Sequence, residues 1–63
     1  MTEPTKLLTL EEAAERLRKS PAQMRWLRHK RQGPRSALIG GRVMYREVDV
    51  EEYVSDAFAT ERS

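Results

Sequence analysis

Apolar positions along this chain fall into two short helical stretches, two brief runs split by glycines, and a third helical stretch. Leu10, Ala13, Ala14 and Leu17 share one face at helical spacing. Thr9 stands before them as an N-cap, and Glu12 three residues on completes a capping box. These signals predict a first helix over 10–18. Glu11 and Glu12 suit the positive end of its dipole, and the small Ala13 and Ala14 let another element approach closely. Leu7 and Leu8 are the first residues expected to pack. Ser20-Pro21-Ala22-Gln23 repeats the signal, with a cap at Ser20, proline at the first helical position and Gln23 as capping-box partner. A second helix is predicted from 21 to 30 or 31, stopping before Gly33-Pro34. About two residues would separate the helices, which makes a helix-turn-helix.

Ala37-Leu38-Ile39 and Val43-Met44-Tyr45 flank Gly40-Gly41-Arg42. A glycine pair between such runs is a hairpin signal, because both residues accept positive φ. Val48, Val50, Tyr53, Val54 and Phe58 then predict an amphipathic helix over 48–57, started by Asp49 or a neighbour, with Glu51 and Glu52 in its first turn. The order helix, turn, helix, hairpin wing, helix describes a mainly α winged helix-turn-helix with a small β-hairpin. It occupies 7–58, between tails expected to be disordered at 1–6 and 59–63. There is no repeat and no second domain.

Charge changes the picture. All ten acids lie outside residues 16–46, and ten of the twelve Lys/Arg lie inside that stretch. The 31 central residues carry +10 and the other 32 carry −8, a split hidden by the net charge of +2. A basic patch on a small fold is the footprint of nucleic-acid binding, whereas a merely solvated surface interleaves both signs. Without cysteine, and with one His, no zinc site can be built. No apolar run is long enough to span a bilayer, and the N-terminus shows no signal-peptide core, so a cytoplasmic protein is expected. No Ser or His has a catalytic partner nearby in sequence. The chain is read as a non-enzyme without cofactor, metal or small-molecule ligand.

On the second helix Met24 and Leu27 point inward, flanked by Arg28 and Arg31. Ala22, Arg25, Trp26 and His29 face the other way, with Gln23 and Lys30 beside them. Arginine pairs bidentately with guanine and glutamine with adenine, and recognition helices read mainly with their N-terminal residues. Gln23, Arg25 and Trp26 are thus favoured over Lys30 and Arg31. Trp26 has two readings: it contacts thymine methyls or sugars, or it folds against the hairpin or Pro34 and completes the core. With four aromatic residues in the chain, core duty is the first expectation, and Trp26 stays among the site candidates. His29 is read as a polar contact. In the wing, Gly41 brings backbone close to a phosphate and Arg42 enters a minor groove or sits as a solvated turn arginine. Arg35 and Arg46 are assigned to the backbone as well. Arg18, Lys19 and Ser20 join Arg16 around the start of the second helix, where the dipole favours phosphate. Some of these bases are expected to pair with Glu11, Glu12 or Glu15.

Thr9-Leu10-Glu11-Glu12-Ala13-Ala14, Ser20-Pro21-Ala22, Gly33-Pro34-Arg35, Ile39 to Arg46 and Asp49-Val50-Glu51-Glu52-Tyr53 together resemble the excisionase family, small MerR-like winged-helix DNA-binding domains common in phages and integrated elements. The likeness covers about 7–58 and is strongest to actinobacterial and mycobacteriophage members, where Gly-Pro-Arg follows the recognition helix. It implies a second helix in the major groove and a wing at the adjacent minor groove, with Gln23, Arg25, Trp26 and Arg28 matching the reading helix and Arg42 the wing. Relatives often carry an aromatic where Leu27 stands; here Trp26 comes one position earlier. Phage members are recombination directionality factors, which bind tandem sites beside attachment sites on double-stranded DNA, bend it and direct an integrase to excision. The partners implied are DNA, integrase and further copies placed head-to-tail. A transcriptional regulator on the same fold is the alternative, and an adaptor for an acidic protein partner is a third.

Overall fold

Local hydrogen bonding sets where the elements begin and end. The computed structural model describes residues 6–61. They form β1 (Leu7–Thr9), α1 (Leu10–Arg16), α2 (Pro21–His29), β2 (Ser36–Ile39), β3 (Arg42–Arg46) and α3 (Glu47–Glu61). Both predicted capping boxes are closed. The Thr9 hydroxyl accepts from the Glu12 amide at 3.1 Å, and the Glu12 carboxylate accepts from the Thr9 amide at 2.8 Å. Ser20 and Gln23 make the same exchange at 3.1 and 2.9 Å. Each box satisfies amides that a helix start leaves unpaired.

The two helix ends also match each other. The Lys19 amide donates to the Ala14 carbonyl and the Gln32 amide to the Leu27 carbonyl, both at 2.8 Å. Arg18 (φ 57°) and Arg31 (φ 59°) hold the left-handed position in these Schellman motifs. Glycine usually stands there, and its absence hides the stop. α1 therefore ends at Arg16 rather than 18, leaving residues 17–20 as the turn, and α2 ends at His29 with Lys30 as its cap.

The hairpin forms as expected. Gly40 and Gly41, at φ 59° and 83°, make its two-residue turn. The sheet has a third strand, which the sequence reading did not foresee: β1 pairs antiparallel with β3, giving the order β1-β3-β2. Leu8 lies opposite Tyr45, and both are buried. Lys6, expected in the tail, accepts at its carbonyl from the Glu47 amide at 2.9 Å. The rest of the expected N-terminal tail, and the end of the C-terminal one, lie outside the described residues.

The core sits between this sheet, α1, α2 and the start of α3. Leu8, Leu10, Ala13, Ala14, Met24, Tyr45 and Val50 are buried, with Leu17, Leu27 and Val43 packed at its margin. Gly33 (φ 79°) closes the loop after α2, where an added Cβ would stand 3.3 Å from the Leu27 Cβ.

α3 corrects three expectations. It starts at Glu47, straight out of β3. It continues through Ala59, Thr60 and Glu61, which had been assigned to the tail, and the Thr60 hydroxyl donates to the Asp56 carbonyl at 2.9 Å. Its apolar face is only partly covered, with Val48 51% and Phe58 72% exposed. Val48 and Val50 are two residues apart and point to opposite sides of a helix, so only Val50 enters the core. Val54 and Phe58 continue the Val50 line beyond the packed body. Among the described residues, no helix is long and apolar enough to cross a membrane.

Met24 is completely buried, so Met24→Ala should lower stability by about 2–5 kcal/mol. A domain of this size has little to spare. A thermal melt close to that of the parent protein would show that α2 does not face the core through Met24.

Candidate nucleic-acid interface

The helical phase set by Met24 turns Ala22, Arg25, Trp26 and His29 outward, and all four are exposed. Gln23 and Lys30 flank them, as expected. Trp26 corrects its first expectation: it is 55% exposed and takes no part in the core. It stands two positions after Met24 and so points away from it. Lys30 lies over its ring, Nζ 5.7 Å from the centroid.

Two basic hollows flank α2. One lies between the start of α1 and the wing tip, and its lining brings Arg25 together with Gly41 and Arg42. Arg25 also faces Glu11 there, Nη2 to Oε2 at 3.9 Å. The other hollow, at the far end of α2, gathers Arg28, Arg31 and Arg35 with Ser36. Sequence reasoning ranked Arg31 low because recognition helices read mainly with their N-terminal residues, and helical phase set it beside the core stripe. The helix has already ended there, and the left-handed backbone breaks that phase. Glu11 and Ser36 were missed for another reason: only the tertiary fold brings them to the basic residues.

Several candidates are already engaged within the chain. The Gln23 side-chain carbonyl accepts from the Ser20 amide. A bidentate adenine contact needs that oxygen together with the amide nitrogen, so it competes with the capping box. The Ser20 hydroxyl is committed to the same box, while Arg18 is exposed and Lys19 half-buried in the preceding turn. Arg16, expected near Glu11, Glu12 or Glu15, instead pairs with Glu47 at 2.8 Å. Arg46 was assigned to the DNA backbone, but its guanidinium forks onto Asp49 at 2.6 and 3.1 Å. That fork clamps the junction of β3 and α3, and the Asp49 bond holds Arg46 above the ordinary arginine range. Asp49 itself is buried, because the start of α3 packs down against the sheet.

Arg28 joins α2 to the wing. Its Nε donates to the Ser36 hydroxyl at 2.9 Å, and Ser36 is the cross-strand neighbour of Tyr45. Burial pushes the Tyr45 phenol up, while the Arg28 charge and the Ser36 hydrogen bond pull it down. The three side chains make one strut from α2 through β2 to β3. Arg28→Met should therefore cost about 1 kcal/mol of stability through the lost hydrogen bond and weaken binding to all duplexes alike. A loss confined to one base pair in a set of mutated sites would make Arg28 a base reader instead.

A family model described as a helix-turn-helix domain matches residues 7–57. No curated protein and no solved structure matches the chain. The matched span runs from β1 through most of α3 and contains the two capped helices, the wing and both basic hollows. The chain belongs to the helix-turn-helix domain family, DNA-binding domains found in excisionase-like proteins.

Proposed function

We propose that the protein is a phage or prophage excisionase acting in the host bacterial cytoplasm. On this reading α2 enters the major groove and the β2–β3 wing lies at the adjacent minor groove. Copies bound at tandem sites beside an attachment site bend the DNA and direct the integrase toward excision. The observation that carries the reading is the pair of arginine hollows on either side of α2, beside a third helix that has six acids and no base. The hollows suit phosphates on both flanks of a groove-bound helix. About six phosphate contacts would make log affinity fall by about five per tenfold rise in salt. Bending a site of about 20–30 base pairs by 40–90° costs on the order of 1–6 kcal/mol, more than one small module readily supplies. Neighbouring copies offset that cost. The acidic α3, with Val54 and Phe58 exposed, complements a wing that exposes Leu38 and Ile39 beside Arg42, which supports head-to-tail placement.

A small transcriptional regulator is the second reading. The uncovered Val54–Phe58 stripe favours it, because such a stripe can join two copies about a two-fold axis and set two half-sites about one helical turn apart. Six acids on the same helix oppose that pairing.

Affinity selection from random duplex DNA, followed by footprinting and gel shifts, separates the two. Closely spaced direct repeats, filled cooperatively with increasing bend, are expected. A single or palindromic site bound without bending would transfer the assignment to a regulator. On the selected site, Arg25→Ala should remove about 1–3 kcal/mol of discrimination at one base pair, whereas equal losses on every sequence would end its reading role. Arg42→Ala should lower the salt slope by about one, and an unchanged slope would place the wing away from the backbone.

A further inference from the structure

The hollow that joins α2 to the wing tip contains one acid among its basic residues. Glu11, in the first turn of α1, faces Arg25 at 3.9 Å, and Arg42 lines the same hollow from the wing. Both members of the ion pair are well exposed, with side-chain accessibilities of 60% and 63%. Such a pair contributes little to folding, and a carboxylate on a surface approached by phosphates opposes binding. The α1 dipole accounts for an acid in this first turn, but not for its facing Arg25 across the hollow.

Resting on the reading of α2 as the groove-bound helix, we infer that Glu11 is a positioning residue for Arg25 and sets its preference for guanine over phosphate. A guanidinium has five N–H donors in a fixed plane. Two of them satisfy guanine O6 and N7, and the remaining edge stays available to a carboxylate on the protein side. Arg25 can thus hold guanine and Glu11 at once, its long side chain steered before contact. On a non-cognate sequence the choice differs. Without a guanine in reach, Arg25 can gain a phosphate only by leaving Glu11 unpaired beside a polyanion, so the carboxylate holds it back. The carboxylate thereby strengthens the cognate complex relative to all others. Fewer arginine rotamers must be frozen on binding, and each wrong complex carries a like-charge penalty.

The test measures affinity for the selected site, for the same site with the Arg25 base pair changed, and for random-sequence duplex. Glu11→Gln and Glu11→Asp are examined in the parent protein, and Glu11→Gln also in the Arg25→Ala background. Thermal melts accompany every variant, since Glu11 also faces the α1 dipole. Glu11→Gln should raise affinity for random duplex and steepen its salt slope by about 0.9 as Arg25 joins a phosphate. It should also lower the ratio of selected to changed site by about threefold to tenfold. Glu11→Asp should restore part of that ratio, and Glu11→Gln should leave it unmoved once Arg25 is alanine. A uniform change on all three duplexes, or the same change of ratio with and without Arg25, would overturn the inference while leaving DNA binding intact. Failure of the parent protein to prefer any duplex would overturn the functional reading together with it.

Discussion

Everything at the arginine-rich surface of α2 and the wing depends on how closely α2 is held against α1 and the sheet. Met24 is the anchor of that contact, buried in one cluster with Ala13, Ala14 and Tyr45. Two alanines on α1 leave room for the approach, and a larger side chain at either would push α2 outward. Arginines from α2 and the wing share a hollow only while that distance is kept. With seven buried hydrophobic residues in the core, close packing has to supply most of the rigidity. The Arg28–Ser36 hydrogen bond adds a polar strut on the far side, so α2 is fixed against the sheet at two places.

How much of this was legible in the sequence depended on range. Both capping boxes and the Gly40-Gly41 turn could be read because each is decided within four residues. The helix ends could not, because Arg18 and Arg31 occupy positions where glycine would have announced the stop. β1 was missed because Leu7-Leu8-Thr9 is too short for alternation to show, and its partners lie more than thirty residues on. Trp26 was sent toward the core on the scarcity of aromatics, although the helical phase fixed by Met24 already turned it out. Phase was the stronger argument. At the site, the residue types and their exposure were readable, but their partners were not. That Gln23 is tied to Ser20 was implicit in the capping box; that Arg28 holds Ser36, Arg46 holds Asp49 and Arg25 faces Glu11 requires the fold.

The same pairings show what becomes of a chain whose charges are sorted along its length. The acidic flanks fold back onto the edges of the basic middle, where Glu47 meets Arg16, Asp49 meets Arg46 and Glu11 meets Arg25. Among the described residues, Arg28, Arg31, Arg35 and Arg42 are left around α2 outside these three ion pairs. Self-repulsion in an unpaired cluster of like charges destabilises a compact state, and trimming its edges limits that cost. It also sharpens the surface, since a phosphate meets positive charge along α2 and the wing but negative charge along α3.

Arg18 and Arg31 carry the same trade-off into the backbone. An L-residue in the left-handed region costs about 1–2 kcal/mol, and glycine at either position would avoid most of it. A cation at a helix C-terminus recovers about 0.3–1 kcal/mol through the dipole, so the isolated domain remains at a net loss at both ends. Arg31 lines the second basic hollow, and Arg18 lies exposed two residues before the cap of α2. Each therefore holds positive charge at one end of α2, where, on the proposed reading, a phosphate contact offsets the strain. On that reading the loss borne by the free protein is recovered in the complex, the pattern expected when strain is retained at a functional surface.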